Sequence, residues 1–268
     1  MEFFNIIQNE TEDNINSYDP SSDSDEDTCP IWEMRETCSM SLNKQGCEIW
    51  KQLRIGRNQG SLMAEICERS FHNEKYPKRT PEELAKILCG LSKQSYTNTQ
   101  QLAMSDGVNG EPYIREWFSK DIIKRPIRQV GAAIWNKDPY YVTSLDGETE
   151  NDEGDLAAIE IKIPGKINRK YIEVFHAWSK GVNNPHPESY IFRSHYDQIT
   201  TANIITGKNG CYYVVACLND GTAFHQYLDT DHELWEQTLY PKSKTFHNKY
   251  VMPLIRKYNV QVVFPPSN

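Results

Sequence analysis

The sequence predicts an α/β fold with helices flanking a mixed central β-sheet, and three observations lead there. Stretches of helical periodicity come first, then a run of strand-like segments, then a helix, two strands and a long C-terminal helix. Residues 211–218, CYYVVACL, form a continuous apolar run of the kind found in strands buried on both faces. Residues 157–163 alternate, with Ala158, Glu160 and Lys162 on one face and Ala157, Ile159, Ile161 and Ile163 on the other. At 268 residues and 38% hydrophobic content, the chain is able to build one sizeable core.

The two ends of the chain differ in charge. Residues 1–30 hold nine acids and no Lys or Arg, leaving 28 of the 37 acidic residues beside all 29 basic ones in the remainder. The first 30 residues therefore read as a disordered acidic tail, and residues 31–268 as a nearly neutral folded domain. The seven cysteines are scattered, with no CxxC and no Cys/His ligand spacing, which fits reduced thiols in an intracellular compartment. No stretch approaches the length of a membrane span, and the acidic start lacks the form of a signal peptide.

The N-terminal half is read as helical. Residues 46–52 suggest a short helix entering the turn RIGRNQGS, residues 54–61, with Ser61 as the N-cap of the next helix. Arg54 and Ser61 beside free backbone N–H groups would suit a phosphate. Thr80-Pro81-Glu82-Glu83 is a capping box that opens a helix through Ile87 and Leu91. A longer helix is expected over 99–118, with Leu102, Met104, Ile114, Trp117 and Phe118 as apolar members and Glu111 and Arg115 one turn apart.

The strands expected at 127–135 and 140–145 lead into a hairpin whose return strand is 157–163, across an acidic loop over 147–155. Asp146 at the end of one strand then meets Glu160 and Lys162 in the other. Two carboxylates held close favour a cation between them, and hard oxygen ligands favour Mg²⁺, with Mn²⁺ as the alternative. A lysine on the same face is able to orient or deprotonate a water and steady charge on a phosphate. Beyond Pro164 a short helix is expected near 171–178, then a helix over 187–205 carrying His195, Tyr196, Gln198 and Asn203. A helix over 231–258 follows, broken or kinked by Pro241 and Pro253, and then a short strand at 260–264.

Four segments in order resemble the lambda-exonuclease-like, YqaJ-type viral recombinases, the branch of the PD-(D/E)XK nucleases that includes viral alkaline exonucleases. They are Trp50-x-x-Leu53-Arg54-x-Gly56 with Ser61, Gly107-x-x-x-Glu111-x-x-x-Arg115, Asp146-Gly147 with Glu160-Ile161-Lys162, and Tyr196-x-Gln198. The resemblance implies a restriction-endonuclease-like core and a Mg²⁺-dependent 5′-3′ exonuclease on double-stranded DNA, serving recombination, repair or genome processing. It implies metal ligation by Asp146, Glu160, the Ile161 carbonyl and Glu111, with Lys162 acting on the attacking water and Gln198 orienting it. Arg54, Ser61, Arg115 and Tyr196 would contact phosphates or DNA. Implied partners are a single-strand annealing protein and, in a ring-shaped trimer, further copies of the chain, within the host cytoplasm or nucleus. Two alternatives stay open: an RNA-directed or catalytically altered relative, and a nucleic-acid-binding module on the same fold.

Overall fold

A computed structural model describes residues 29–70, 78–94, 96–163, 191–217 and 222–266. The expected acidic tail, the helix near 171–178 and the start of the helix from 187 lie outside these residues, apart from Cys29 and Pro30. Among the described residues no helix is long and apolar enough to cross a membrane.

The strands form two sheets. One has five strands: β1 (Trp32–Met34), β2 (Cys38–Ser41), β3 (Asn58–Gln59), β4 (Ala132–Trp135) and β5 (Tyr141–Ser144) in the order β1-β2-β4-β5-β3. The other runs in sequence order: β6 (Gly147–Glu150), β7 (Leu156–Lys162), β8 (Gly210–Cys217) and β9 (Thr222–Asp229). Both are mixed, since β3–β5 and β7–β8 pair in parallel and the other pairs are antiparallel.

The expected hairpin is corrected by this division. β5 does not pair with β7; the antiparallel partner of β7 is β6, with Gly147 opposite Ile159 and Glu150 opposite Leu156. The turn is shorter than expected, closed by Asn151 Oδ1 accepting from the N–H groups of Glu153 and Asp155. Gly147 belongs in β6 because a Cβ there would lie 2.5 Å from the Ile127 side chain. Asp146 thus sits where the chain crosses from one sheet to the other. β7 is also buried on both faces instead of half-buried: Ala157, Ile159 and Ile161 pack with Ile114, Phe118 and Val214, while Ala158 joins the core around Ile199 and Tyr213.

The helices bring the remaining pieces. Helix α1 (Glu48–Arg54) is capped by Cys47 Sγ, which accepts from the Trp50 N–H at 3.4 Å. It ends at Gly56, whose φ of +73° a side chain would strain. Ser61 is not an N-cap: it lies inside a 3₁₀ turn, Gly60–Leu62, ahead of the four-residue helix α2 (Met63–Ile66). Helix α3 (Pro81–Leu88) carries the complete Thr80/Glu83 capping box and stops short of Leu91 at the left-handed Gly90.

Helix α4 (Asn98–Trp117) opens with a second capping box, Thr97/Gln100, and runs into a π-helical turn, Phe118–Ile123. Ile114 and Phe118 are buried as expected, but Leu102 and Met104 are exposed, because only the C-terminal half of α4 lies on the sheet. Helix α5 (Arg193–Thr206) covers the opposite face.

After β9 the chain is helical from His232 to Tyr258, as α6 (His232–Leu234), α7 (Tyr240–Phe246) and α8 (Met252–Tyr258) joined by π-helical turns. Each π turn immediately precedes the segment whose second residue is Pro241 or Pro253. A wider turn accommodates a residue that lacks an N–H and crowds the carbonyl four back, so neither proline breaks the run. Residues 260–264 form no strand; their backbone is anchored instead through Val263 O, which accepts from buried Arg57 at 2.5 Å.

Candidate active site

Asp146 is held at the sheet junction by three separate bonds. Its N–H donates to Ile159 O (3.1 Å), its Oδ2 accepts from the Ile161 N–H (2.7 Å), and its carbonyl accepts from Arg115 Nε (2.9 Å). Glu160, only 2% exposed, accepts from Gln198 Nε2 at 2.6 Å and pairs with Lys162. Lys162 Nζ also reaches Gln198 Oε1 at 3.4 Å. Glu111 arrives from α4 and pairs with Arg115. Five of the candidate residues, Glu111, Asp146, Glu160, Lys162 and Gln198, therefore line a single cleft of about 440 Å³.

Arg54 and Ser61 form another part of the cleft wall. Arg54 Nη2 donates to Ser61 Oγ at 3.1 Å and to Gln59 Oε1 at 2.7 Å, and its guanidinium stacks 4.4 Å from the Trp50 ring. Burial lowers its pKa to about 10, and among the described residues it has no ion-pair partner. Arg115 and Tyr196 are absent from the cleft lining. The Arg115 guanidinium is turned inward on Asp146 O and Glu111. Tyr196 is packed in the core, where its hydroxyl donates to Asp231 Oδ2 at 3.1 Å. Helical spacing had placed both on the correct helices but not on the side facing the cleft.

Gln45, Thr143, Ser144, Met104 and Val108 also line the cleft and were not among the site residues that the sequence pointed to. Ser144 Oγ accepts from Trp50 Nε1 at 2.8 Å, and strand alternation two residues before Asp146 is a signal that points to it. Gln45 donates to Leu145 O and Val130 O from a loop, and nothing in its local sequence announces that.

The electrostatics follow from crowding acids away from water. Burial pushes Glu160 up to about 7, with Lys162 opposing and Asp146 reinforcing the shift. Burial and the Asp146 charge raise Glu111 to about 7 against Arg115. Asp146 is raised by burial too, against the pull of Lys162 and the Ile161 N–H. For Lys162 burial would lower the pKa, but Glu160 and Asp146 outweigh it and the ammonium is retained. Among the described residues no group of three or more His, Cys, Asp or Glu side chains is arranged to hold a metal ion by itself. The donors still suit a hard cation that keeps part of its own water and takes one or two carboxylates from the protein, since Asp146 and Glu160 carry oxygens whose charge is incompletely balanced.

Two mixed sheets flanked by helices, with an acidic cleft where the chain crosses from one to the other, make an α/β fold with its site at the sheet junction. Residues 49–209 match the model of the YqaJ-like viral recombinase domain, and the chain belongs to that family. Two crystal structures of an alkaline exonuclease, LHK-Exo from Laribacter hongkongensis, share the fold. The first has a TM-score of 0.55 at 18% identity, and the second, in complex with dAMP, 0.56 at 21%; each alignment covers 80% of this chain and 98% of the other. A phage-related exonuclease from Haemophilus somnus 129PT aligns at a TM-score of 0.50 and 10% identity over 75% of this chain and 96% of its own. No curated protein matches the chain.

Proposed function

We propose that this protein is a metal-dependent exonuclease that degrades one strand of duplex DNA from a 5′ end, in recombination or genome processing. The observation that carries the reading is the convergence of Glu111, Asp146, Glu160, Lys162 and Gln198 in one cleft, with Arg54 and Ser61 on another part of its wall. Membership of a recombinase family and the exonuclease activity named for the structural neighbours support it.

In this reading Asp146, Glu160 and the Ile161 carbonyl hold Mg²⁺ or Mn²⁺, with Glu111 approaching from α4. When bound, the ion polarises the scissile phosphate and activates the attacking water. Lys162, held beside Glu160 and Asp146, steadies phosphate charge and acts on the attacking water. Gln198 bridges Glu160 and Lys162 and keeps both in reach. As the water oxygen bonds to phosphorus, the bond to the 3′ oxygen breaks; the water gives up a proton and the leaving oxygen gains one through the open cleft. Arg54 and Ser61 receive the terminal 5′-phosphate, for which a guanidinium fork without a carboxylate partner among the described residues is suited. The annealing partner and a ring of copies belong to the same reading through the family.

Initial rates on 5′-phosphorylated and 5′-hydroxyl duplexes, with and without Mg²⁺, test it in wild type and Arg54→Ala. The expected result is Mg²⁺-dependent release of nucleotides, faster from the phosphorylated end, with Arg54→Ala narrowing that preference. An unchanged ratio between the two ends would remove Arg54 from the phosphate role. Absence of release on either duplex with Mg²⁺ or Mn²⁺ would remove the nuclease reading.

A further inference from the structure

The sheet face beneath α5 carries a polar row among apolar residues, with Glu148 and Lys162 also on that face. Ala158, Cys211, Val215 and Leu228 on that face belong to the core. Glu160 on β7, Tyr213 on β8 and Gln226 on β9 are register partners in a line across three strands, and paired residues share a face. His195, in the first turn of α5, closes over the middle of this line, with Nδ1 2.7 Å from the Tyr213 hydroxyl. Gln198 follows one turn later on the same helix face and reaches Glu160. One helix therefore grips the row twice. Tyr213 is wholly buried, where a hydroxyl is costly unless bonded and a Phe would fill nearly the same volume. Burial and the nearby Lys162 charge hold the His195 pKa well below 6.5, so the ring is neutral at neutral pH.

We propose that His195, acting through Tyr213, is a positioning residue for the Glu160–Gln198–Lys162 end of the cleft. The His195–Tyr213 bond fixes how the first turn of α5 sits on β8, and with it the 2.6 Å reach of Gln198 to Glu160. Small displacements of groups around a reacting phosphate are costly in rate. This inference rests on the hydrolase reading above.

The test is steady-state kinetics on a 5′-phosphorylated duplex with Mg²⁺ for wild type, His195→Ala, His195→Asn, His195→Gln, Tyr213→Phe and the His195→Ala/Tyr213→Phe double variant. Glu160→Gln serves as the inactive control. His195→Ala and Tyr213→Phe should each lower kcat by about tenfold with KM within about twofold, and the double variant should be no slower than the slower single one. His195→Asn should recover most of the loss, because its amide occupies the place of Nδ1; His195→Gln, which stands in for Nε2, should not. If His195→Ala does not fold, the near-isosteric Tyr213→Phe carries the comparison. Values of kcat within about twofold of wild type for both single variants, losses that multiply in the double variant, or equal recovery by Gln and Asn would each overturn the inference. Those results beside an inactive Glu160→Gln overturn it alone, whereas an active Glu160→Gln overturns the hydrolase reading and this inference with it.

Discussion

Glu148 and Glu160 lie on the adjacent strands β6 and β7 and are 3% and 2% exposed, yet their acidities move in opposite directions. Burial alone would raise Glu148. Bonds from both Arg35 Nη atoms and from Lys208 Nζ, all at 2.8 Å, together with Arg128, bring it down to about 2. Asp146 and Glu160 share one ammonium, and Glu160 is left near 7. Both side chains are closed to solvent, but Glu160 lies deeper in the protein and has fewer cations around it. A carboxylate surrounded by cations ties together the segments that supply them, whereas carboxylates that outnumber their cations keep an affinity for another positive charge.

The largest effect that would break this contrast is on rate. Glu160→Gln and Lys162→Ala should each lower kcat by a factor on the order of 10² to 10⁴, with Glu160→Gln melting no lower than wild type. Retention of more than about a tenth of wild-type kcat by either would show that the cleft carboxylates and lysine do not carry the chemistry.

Next in size, Glu148→Gln removes the buried anion shared by three cations, leaving Arg35 and Arg128 with Glu33 alone and Lys208 with no ion pair among the described residues. It should cost roughly 3–5 kcal/mol in urea unfolding, while the folded fraction keeps its specific activity. A loss below about 1 kcal/mol would mean that the ion cluster does not tie the segments together.

The smallest effect is a difference in pH dependence. Glu160 and Glu111 have folded pKa values near 7 against an ordinary 4.5. Their ionisation therefore costs nothing below pH 4.5 and subtracts stability progressively as the pH rises towards 7. Glu148 has the opposite sign: its contribution is complete above 4.5 and is lost as the pH falls towards 2. Melting curves in chelator should show wild type losing a few degrees between pH 5 and 7, Glu160→Gln losing less, and Glu148→Gln lacking the acid-side decline. Parallel curves for wild type and Glu160→Gln would contradict the raised acidity constant.

Much of the site was legible because it rests on local regularities. Alternation along 157–163 is enough to put Glu160 and Lys162 on one face, and the Thr80/Glu83 box depends on neighbours three residues apart. The polar stretch Gly147–Glu150 reads as a loop because what makes it a strand is distant: Glu148 faces Arg35, Arg128 and Lys208, and the backbone of Arg128 bridges to it. β2, CSMS, has no strand-like composition and exists because it is enclosed between β1 and β4. For Arg115 and Tyr196 periodicity gives the helix, but not the partners, Asp146 O and Asp231, that hold them outside the cleft lining. Leu102 and Met104 fit the apolar period of α4 and remain exposed, since the helix outruns the sheet.

The position of Asp146 has a mechanical side. Its backbone is the link between the two sheets, bonded to Ile159 in one and followed back through Leu145 to β5 in the other, and Gln45 braces the same link by bonding Leu145 O. One residue thus carries both the carboxylate of the cleft and the backbone that joins the sheets, so a change at Asp146 reaches the site and the junction together.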